Sequence, residues 1–377
     1  MPEPIYLDHA ATTPLRSEAL EAMMPLLTDS WGNASSVHRW GRKARSVVED
    51  CRTRVADVLG CEPAEIVFTS GGTESDNLAL RGATDPGCSL ITSFAEHEAV
   101  LNTAAQLGRM GQVVTHLPTD KLTPDGITTA LSDQRGALVS LMYVNNETGA
   151  VANIPALVEA AHSRHATFHT DAVQAPGLLP IGVEALGGDL MSLSSHKFGG
   201  PKGAGVLYVR GGTDLTPQLV GGKQERDRRA GTENVAAIAG MTRALELAES
   251  ERETTAPRLA ALRDRLRSRL VDVLGDRIRV VTPIDAASHI LNVAFPPAVG
   301  RAVDGEMLIL GMDLEGIAVS SGSACTSGTL RPSHVLLAMG LDEATARAAV
   351  RFSLGSTTVQ SDIDRAADAL IRVAGRA

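Results

Sequence analysis

Aromatic residues make up only 3% of this 377-residue chain, and there are only five lysines. With 35 basic residues against 44 acidic ones, the formal charge is −9. Such a chain lacks the phosphate-neutralising charge and the stacking platforms of a nucleic-acid binder. Cysteine is rarer still: Cys51, Cys61, Cys88 and Cys325, with no C-x-x-C spacing. That excludes a disulfide scaffold and a zinc ribbon. Nowhere do 18 apolar residues run together, and Met1 to Asp8 carry neither a basic nor an apolar leader segment. A cytoplasmic protein is expected, with no membrane span and no secretion signal. No Gly/Ser/Pro tract, charge block or short-period repeat is present, which argues against disorder and solenoids. What is there is ordinary globular composition, 44% hydrophobic and 21% charged, ample for a buried core. The length suggests two domains, or a large domain carrying a smaller one.

Periodicity gives the organisation. From Gly41 to Leu59, residues Ala44, Val47, Val48, Cys51, Val55 and Val58 recur every three or four positions, which predicts an amphipathic helix. Ile66 to Thr69 reads as a short buried strand ending at Ser70-Gly71-Gly72. The alternation continues with strands over 89–92, 112–116, 137–144, 167–170, 189–193 and 205–209, and helices over 98–109 and 154–165. Strands separated by helices indicate parallel crossovers and a sheet covered on both faces. In such sheets ligands collect beyond the carboxyl ends of the strands. After about residue 255 the pattern changes to a helix over 258–274, a strand over 289–295, a helix over 306–312, strands over 317–320 and 350–354, and a terminal helix over 362–373. The expected fold is α/β: a large domain over 15–255 with a mostly parallel sheet flanked by helices, and a smaller α+β domain from 1–14 and 256–377.

Four segments could carry chemistry. Lys197 lies in Ser194-Ser-His-Lys-Phe-Gly-Gly-Pro-Lys-Gly203, directly after a predicted strand. A lysine at a sheet's carboxyl edge has the exposure and desolvation that favour condensation with a carbonyl; an ordinary loop lysine is the plainer reading of the residue alone. Asp171 ends a strand, with Gln174 three residues on. It could keep a pyridinium nitrogen protonated or simply cap a helix. Thr69 to Asn77 is a Gly/Ser/Thr turn leading into a helix, whose N–H groups and hydroxyls suit a single phosphate. It has neither the Gly-Lys-Ser/Thr nor the Gly-x-Gly-x-x-Gly pattern of nucleotide loops. Cys325 sits in Ser320-Ser-Gly-Ser-Ala-Cys-Thr-Ser-Gly328, a small polar loop with the accessibility a nucleophilic thiolate needs. Cys51 and Cys88 read as inert core residues, and Cys61 as intermediate. His162, His165, His169 and Asp171 are spaced like metal ligands, but a helix end and the next strand need not bring them together. No metal site is expected.

Ten blocks of the chain, in order, resemble the class V aminotransferase family, and within it the cysteine desulfurases of the NifS/IscS group. They are Tyr6 to Pro14, Gly32 to Ser36 with His38, Thr69 to Asn77, Glu96-His97, Val144-Asn-Asn-Glu147, His169 to Gln174, Ser194 to Gly203, Arg229-Ala-Gly-Thr-Glu-Asn234, Ser320 to Gly328 and Arg351-Phe-Ser-Leu-Gly355. The resemblance implies the type I fold of pyridoxal-phosphate-dependent transferases and a homodimer. It also implies conversion of L-cysteine to L-alanine, with the sulfur left on an enzyme cysteine as a persulfide. Residue by residue, Lys197 would carry pyridoxal 5'-phosphate, Asp171 would pair with the ring nitrogen, and His97 would stack on the ring and handle a proton. Gln174 and Asn146 would contact the phenolic oxygen. Gly72, Thr73, Ser194 and His196 would hold the phosphate, joined by Thr232 from the neighbouring subunit. Arg351, with Asn33 and the backbone around Ala10, would bind the substrate carboxylate, for which a bidentate guanidinium is the natural grip. Cys325 would accept the sulfur.

Its loop resembles the longer type that can swing sulfur out to an acceptor or scaffold protein, although Gly328-Thr-Leu-Arg331 departs from the commonest wording. Iron–sulfur cluster assembly, tRNA thiolation and sulfur modification of DNA draw on such enzymes; in the last a separate protein would handle the DNA. A selenocysteine lyase or another class V reaction is the nearest alternative. Cys325 could also be a transient iron–sulfur ligand, with the remaining ligands supplied by a partner.

Overall fold

The computed structural model describes residues 3–84, 87–132, 136–297, 303–321 and 332–376. The chain divides into two compact units. The larger comprises Thr13–Tyr143 and Ala152–Glu251; the smaller comprises Met1–Thr12, Val144–Val151 and Arg252–Ala377.

The larger unit is built on seven strands: β1 (Ile66–Thr69), β2 (Ser89–Ser93), β3 (Val114–Leu117), β4 (Ala137–Ser140), β5 (Thr167–Asp171), β6 (Leu190–Ser194) and β7 (Gly205–Val209). Their order across the sheet is β1-β7-β6-β5-β4-β2-β3. Strands β2 to β6 run parallel, and β7 runs antiparallel to both β6 and β1. The sheet is therefore mostly parallel, as the alternation predicts. Sequences such as Ala-Leu-Val-Ser in β4 are buried along their whole length, as strands covered on both faces must be. Val67, Leu80, Leu90, Val100, Leu138, Leu190 and Leu207 share one core cluster.

Because β7 reverses direction and β1 reverses it again, Thr69 and Ser194 both face Gly205 in the register. The carboxyl ends of β1, β2, β4, β5 and β6 thus share one edge. The loops leaving that edge include 70–71, 94–97, 172–174 and 195–197.

Several boundaries differ from expectation for identifiable reasons. The strand expected over 137–144 stops at Ser140, and beyond it Val144 bridges back to Val151 in a local turn. The helix expected to reach 165 ends at His162, since His165 takes a positive φ of 57°. The helix expected to begin at 258 instead runs from Val235 to Leu274, through Pro257, and the chain passes from one unit to the other within it. An interior proline loses one N–H bond and crowds the preceding turn. Here buried Ala237, Met241, Ala244 and Leu245 before it, and Leu259, Leu266 and Leu270 after it, hold the helix together.

The smaller unit has a three-stranded antiparallel sheet with Ile290–Ala294 between Ala349–Ser353 and Arg279–Val280. A short parallel pair joins Ile5–Tyr6 to Ile317–Ala318. Its helices include Gly305–Leu314 and Gln360–Ala374. Among the described residues no helix is long and apolar enough to cross a membrane.

Candidate active site

The shared edge of the larger unit collects most of the residues singled out by sequence. Lys197 ends the tight turn Ser195–Lys197 directly after β6. The turn is fixed from both sides: Ser195 N–H donates to the Ala204 carbonyl, and the Thr13 hydroxyl donates to the His196 carbonyl. Lys43, Lys121, Lys202 and Lys223 are exposed, whereas Lys197 is half-buried. Asp171, at the end of β5, is 7% exposed, and its Oδ1 accepts the Val173 N–H at 2.9 Å. Burial pushes the Asp171 pKa up, while the charges of His97 and Lys197 pull it down. Asp171 therefore lies within electrostatic reach of both His97 and Lys197.

His97 caps the helix Glu98–Arg109, its Nδ1 accepting the Ala99 N–H at 3.1 Å. That bond leaves Nε2 as the ring's proton-bearing nitrogen in the neutral form. His196 is held neutral, its pKa lowered to about 4 by burial and then by Lys197 and Lys202. Gln174 is buried in the loop after β5.

Beside them the helix Gly72–Gly82 starts at Gly71. Its first-turn N–H groups have no acceptors within the helix. A Cβ on Gly72 would stand 2.8 Å from Val173 Cγ2, so a side chain there would require the valine to shift, and 3.4 Å from Ser194 Cβ, an ordinary contact with the end of β6. Thr73 is exposed, and Ser194 is buried. A cleft of about 590 Å³ is lined by Ser70, Thr73, Glu74, Asn77, Arg81 and Arg229. Arg229 grips Glu74 through two bonds of 2.8 and 3.2 Å, an anchor that sequence reasoning did not assign. Thr232, further along the same loop, is exposed.

This set can hold an anionic phosphate at the helix start. It can also hold a cationic ring nitrogen, for which a buried carboxylate with a raised pKa is a fitting partner. The half-buried amine is placed to bond a carbonyl carbon. The donors therefore fit a phosphorylated pyridine aldehyde. Asn33, in the same unit, is exposed and accepts the Ser35 N–H at 2.8 Å.

Ala10, Asn146 and Arg351 belong to the smaller unit and form a set of their own. Arg351 is 3% exposed on the strand Ala349–Ser353. It donates to Asp8 Oδ1 at 2.7 Å and to the Asn146 carbonyl at 2.8 Å. Its Nε has no hydrogen-bond partner among the described residues. Ala10 N–H donates to Ser353 Oγ at 2.9 Å, which ties the N-terminal block to the strand that carries Arg351. A Cβ on Gly355 would fall 2.2 Å from the His9 ring, so Arg351-Phe-Ser-Leu-Gly355 must end in glycine to seat that block. Asp8 as counter-ion to Arg351 is the residue here that sequence reasoning missed; its place in the Leu7-Asp-His block was the available sign.

Cys325 lies outside the described residues. Burial pushes the Cys51 thiol up, and the Cys61 thiol is pushed up to about 12 by burial and then by Glu65, Glu62 and Asp57. Neither is a ready nucleophile at neutral pH. His162 pairs with Asp189 at 2.9 Å, while His169 is wholly buried between Ser140 and Ser192. Among the described residues no three His, Cys, Asp or Glu side chains are grouped to hold a metal ion.

Comparison with known proteins bears on these arrangements. The family model described as aminotransferase class-V matches residues 5–366. A curated relative, "Cysteine desulfurase IscS" of Dictyoglomus turgidum, is 43% identical over 99% of this chain and 95% of its own length. The solved structure of a NifS-like protein superposes with a TM-score of 0.90 at 33% identity, covering 99% of this chain and all of that one. Another, described as SspA in complex with cysteine, gives a TM-score of 0.80 at 34% identity, covering 94% of this chain and all of that one.

Proposed function

This chain belongs to the aminotransferase class-V family, and we propose that it is a pyridoxal-phosphate-dependent cysteine desulfurase. The observation that carries the reading is the sheet edge where buried Asp171 lies within electrostatic reach of both half-buried Lys197 and helix-capping His97. Relatives named as cysteine desulfurases, and a solved relative holding cysteine, support it.

In this reading Lys197 anchors the cofactor. Asp171 would pair with the ring nitrogen, His97 would stack on the ring, and Gln174 and Asn146 would contact the phenolic oxygen. Gly72, Thr73, Ser194 and His196 hold the phosphate, with Thr232 contributed across a homodimer. Bound pyridoxal phosphate supplies an electron sink next to the substrate's Cα. Beside it Lys197 Nζ would take the substrate's Cα proton and return it. Arg351, with Asn33 and the backbone at Ala10, fixes the substrate carboxylate, and Asp8 holds the guanidinium for that task. His97 handles a proton at Nε2. The Cys325 thiolate would attack the substrate sulfur; as the S–S bond forms the C–S bond breaks, Cβ takes the bond's electron pair and then a proton, alanine leaves, and a persulfide remains for an acceptor protein.

The test is direct. Purified protein is expected to be yellow, and borohydride should fix the cofactor on Lys197. Cys325→Ala should keep the colour and lose persulfide and sulfide formation. Protein that takes up no pyridoxal phosphate overturns the reading, and a Cys325→Ala variant as active as wild type overturns the acceptor assignment. Turnover of selenocysteine with little of cysteine would move the reaction to a selenocysteine lyase.

A further inference from the structure

Asp76, on the second turn of the helix Gly72–Gly82, is 1% exposed, and its Oδ1 has no hydrogen-bond partner among the described residues. The carboxyl is hydrogen-bonded to the Ser192 hydroxyl, and Ser192 stands opposite Asp171 in the β5–β6 register. From Ser192 a buried chain continues. Its Oγ lies 2.9 Å from His169 Nε2, and His169 Nδ1 lies 2.8 Å from Ser140 Oγ. His169 Nε2 is 3.7 Å from Asp76 Oδ1, too far for a direct hydrogen bond. Burial lowers the His169 pKa to about 3, so the ring is neutral at pH 7 and carries one N–H.

Ser192 has a single hydroxyl proton, which allows two arrangements. With Asp76 ionised, Ser192 donates to the carboxylate, His169 Nε2–H donates to Ser192, and Ser140 donates to Nδ1. With Asp76 protonated, Asp76 donates to Ser192, Ser192 donates to a bare Nε2, and Nδ1–H donates to Ser140. The carboxyls felt by Asp76 are those of Asp171 and Glu96, while the pull of His97 and Lys197 falls on Asp171. A second buried carboxylate beside the first, with no cation of its own, is opposed by both desolvation and repulsion.

We propose that Asp76 is a positioning residue that keeps its proton and leaves a single negative charge, on Asp171, for the cofactor's ring nitrogen; the His169 tautomer reports its state. This deepens the functional reading and rests on it for the role of Asp171.

The test uses the cofactor-loaded full chain labelled with 15N-histidine, with Asp76→Asn alongside. At pH 7 long-range 1H–15N correlation should find the His169 proton on Nδ1, and infrared difference spectra should show a protonated-carboxyl band that Asp76→Asn loses. A wild-type His169 proton on Nε2 overturns the proposal, and so does the absence of that band. If Asp76→Asn does not fold, the wild-type tautomer decides alone. Loaded, active protein with an Nε2 proton sinks only the role of Asp76, whereas failure to take up cofactor sinks the functional reading itself.

Discussion

Glu96 precedes the capping histidine and is wholly buried, its Oε1 accepting from the Ser93 hydroxyl at 2.8 Å and the Met142 N–H at 3.2 Å. Burial dominates those bonds and raises its pKa from 4.5 to about 8. Between those two values the folded chain keeps a proton that the unfolded chain has released. Stability therefore falls as pH rises from about 4.5 to about 8, and this contribution levels off above that window. Glu96→Gln has the same shape and cannot titrate. It should flatten the pH dependence of thermal unfolding in that window and melt above wild type at pH 8.5; parallel profiles would contradict the assignment. Glu96 and Asp76 stand in sequence blocks that were readable, but their protonation was not. Desolvation depends on neighbours brought in by other elements, and no spacing rule encodes it. Lys197 was readable because lysine is scarce and this one follows a strand.

At the scale of elements, the helix Arg39–Leu59 is locked to the turn Gln224–Asp227 by a buried ion pair. Arg52 bonds both Glu225 oxygens at 2.8 and 2.7 Å, and Glu225 Oε2 also accepts the Phe68 N–H of β1. Glu225, Arg226 and Asp227 all have positive φ, between 46° and 64°, a strain that persists only where surroundings over-determine it. Removing one partner leaves an uncompensated buried charge, which costs about 3–5 kcal/mol. Glu225→Ala is therefore expected to lower the urea midpoint sharply. Asp364→Ala, which breaks exposed bonds to Arg265 and Arg269, should move it far less. Similar midpoints for the two would refute the locking role. Periodicity revealed neither this pair nor the helix through Pro257, because both are decided by what packs against the element.

For the whole molecule, the proposed cofactor draws on residues from several loops and helix starts, and a ligand that binds only the folded chain stabilises it by mass action. Removing pyridoxal phosphate with hydroxylamine should lower Tm by several degrees at pH 7, and adding it back should restore the value. An unchanged Tm would show that the group is not held within the folded unit.

The amino-acid sequence determined the class of fold, the alternation of strands and helices and the strand ends at which Lys197 and Asp171 stand. These follow from periods of two and 3.6 residues and from turn residues, which are local properties. Only the tertiary structure decided that β7 runs against its neighbours, that Val144–Val151 groups with the chain's two ends, that Arg351 already holds Asp8, and that Asp76, Glu96 and Asp171 are buried within reach of one another. Pairing direction and desolvation arise from contacts between residues far apart in the chain, so they exist only once it has folded.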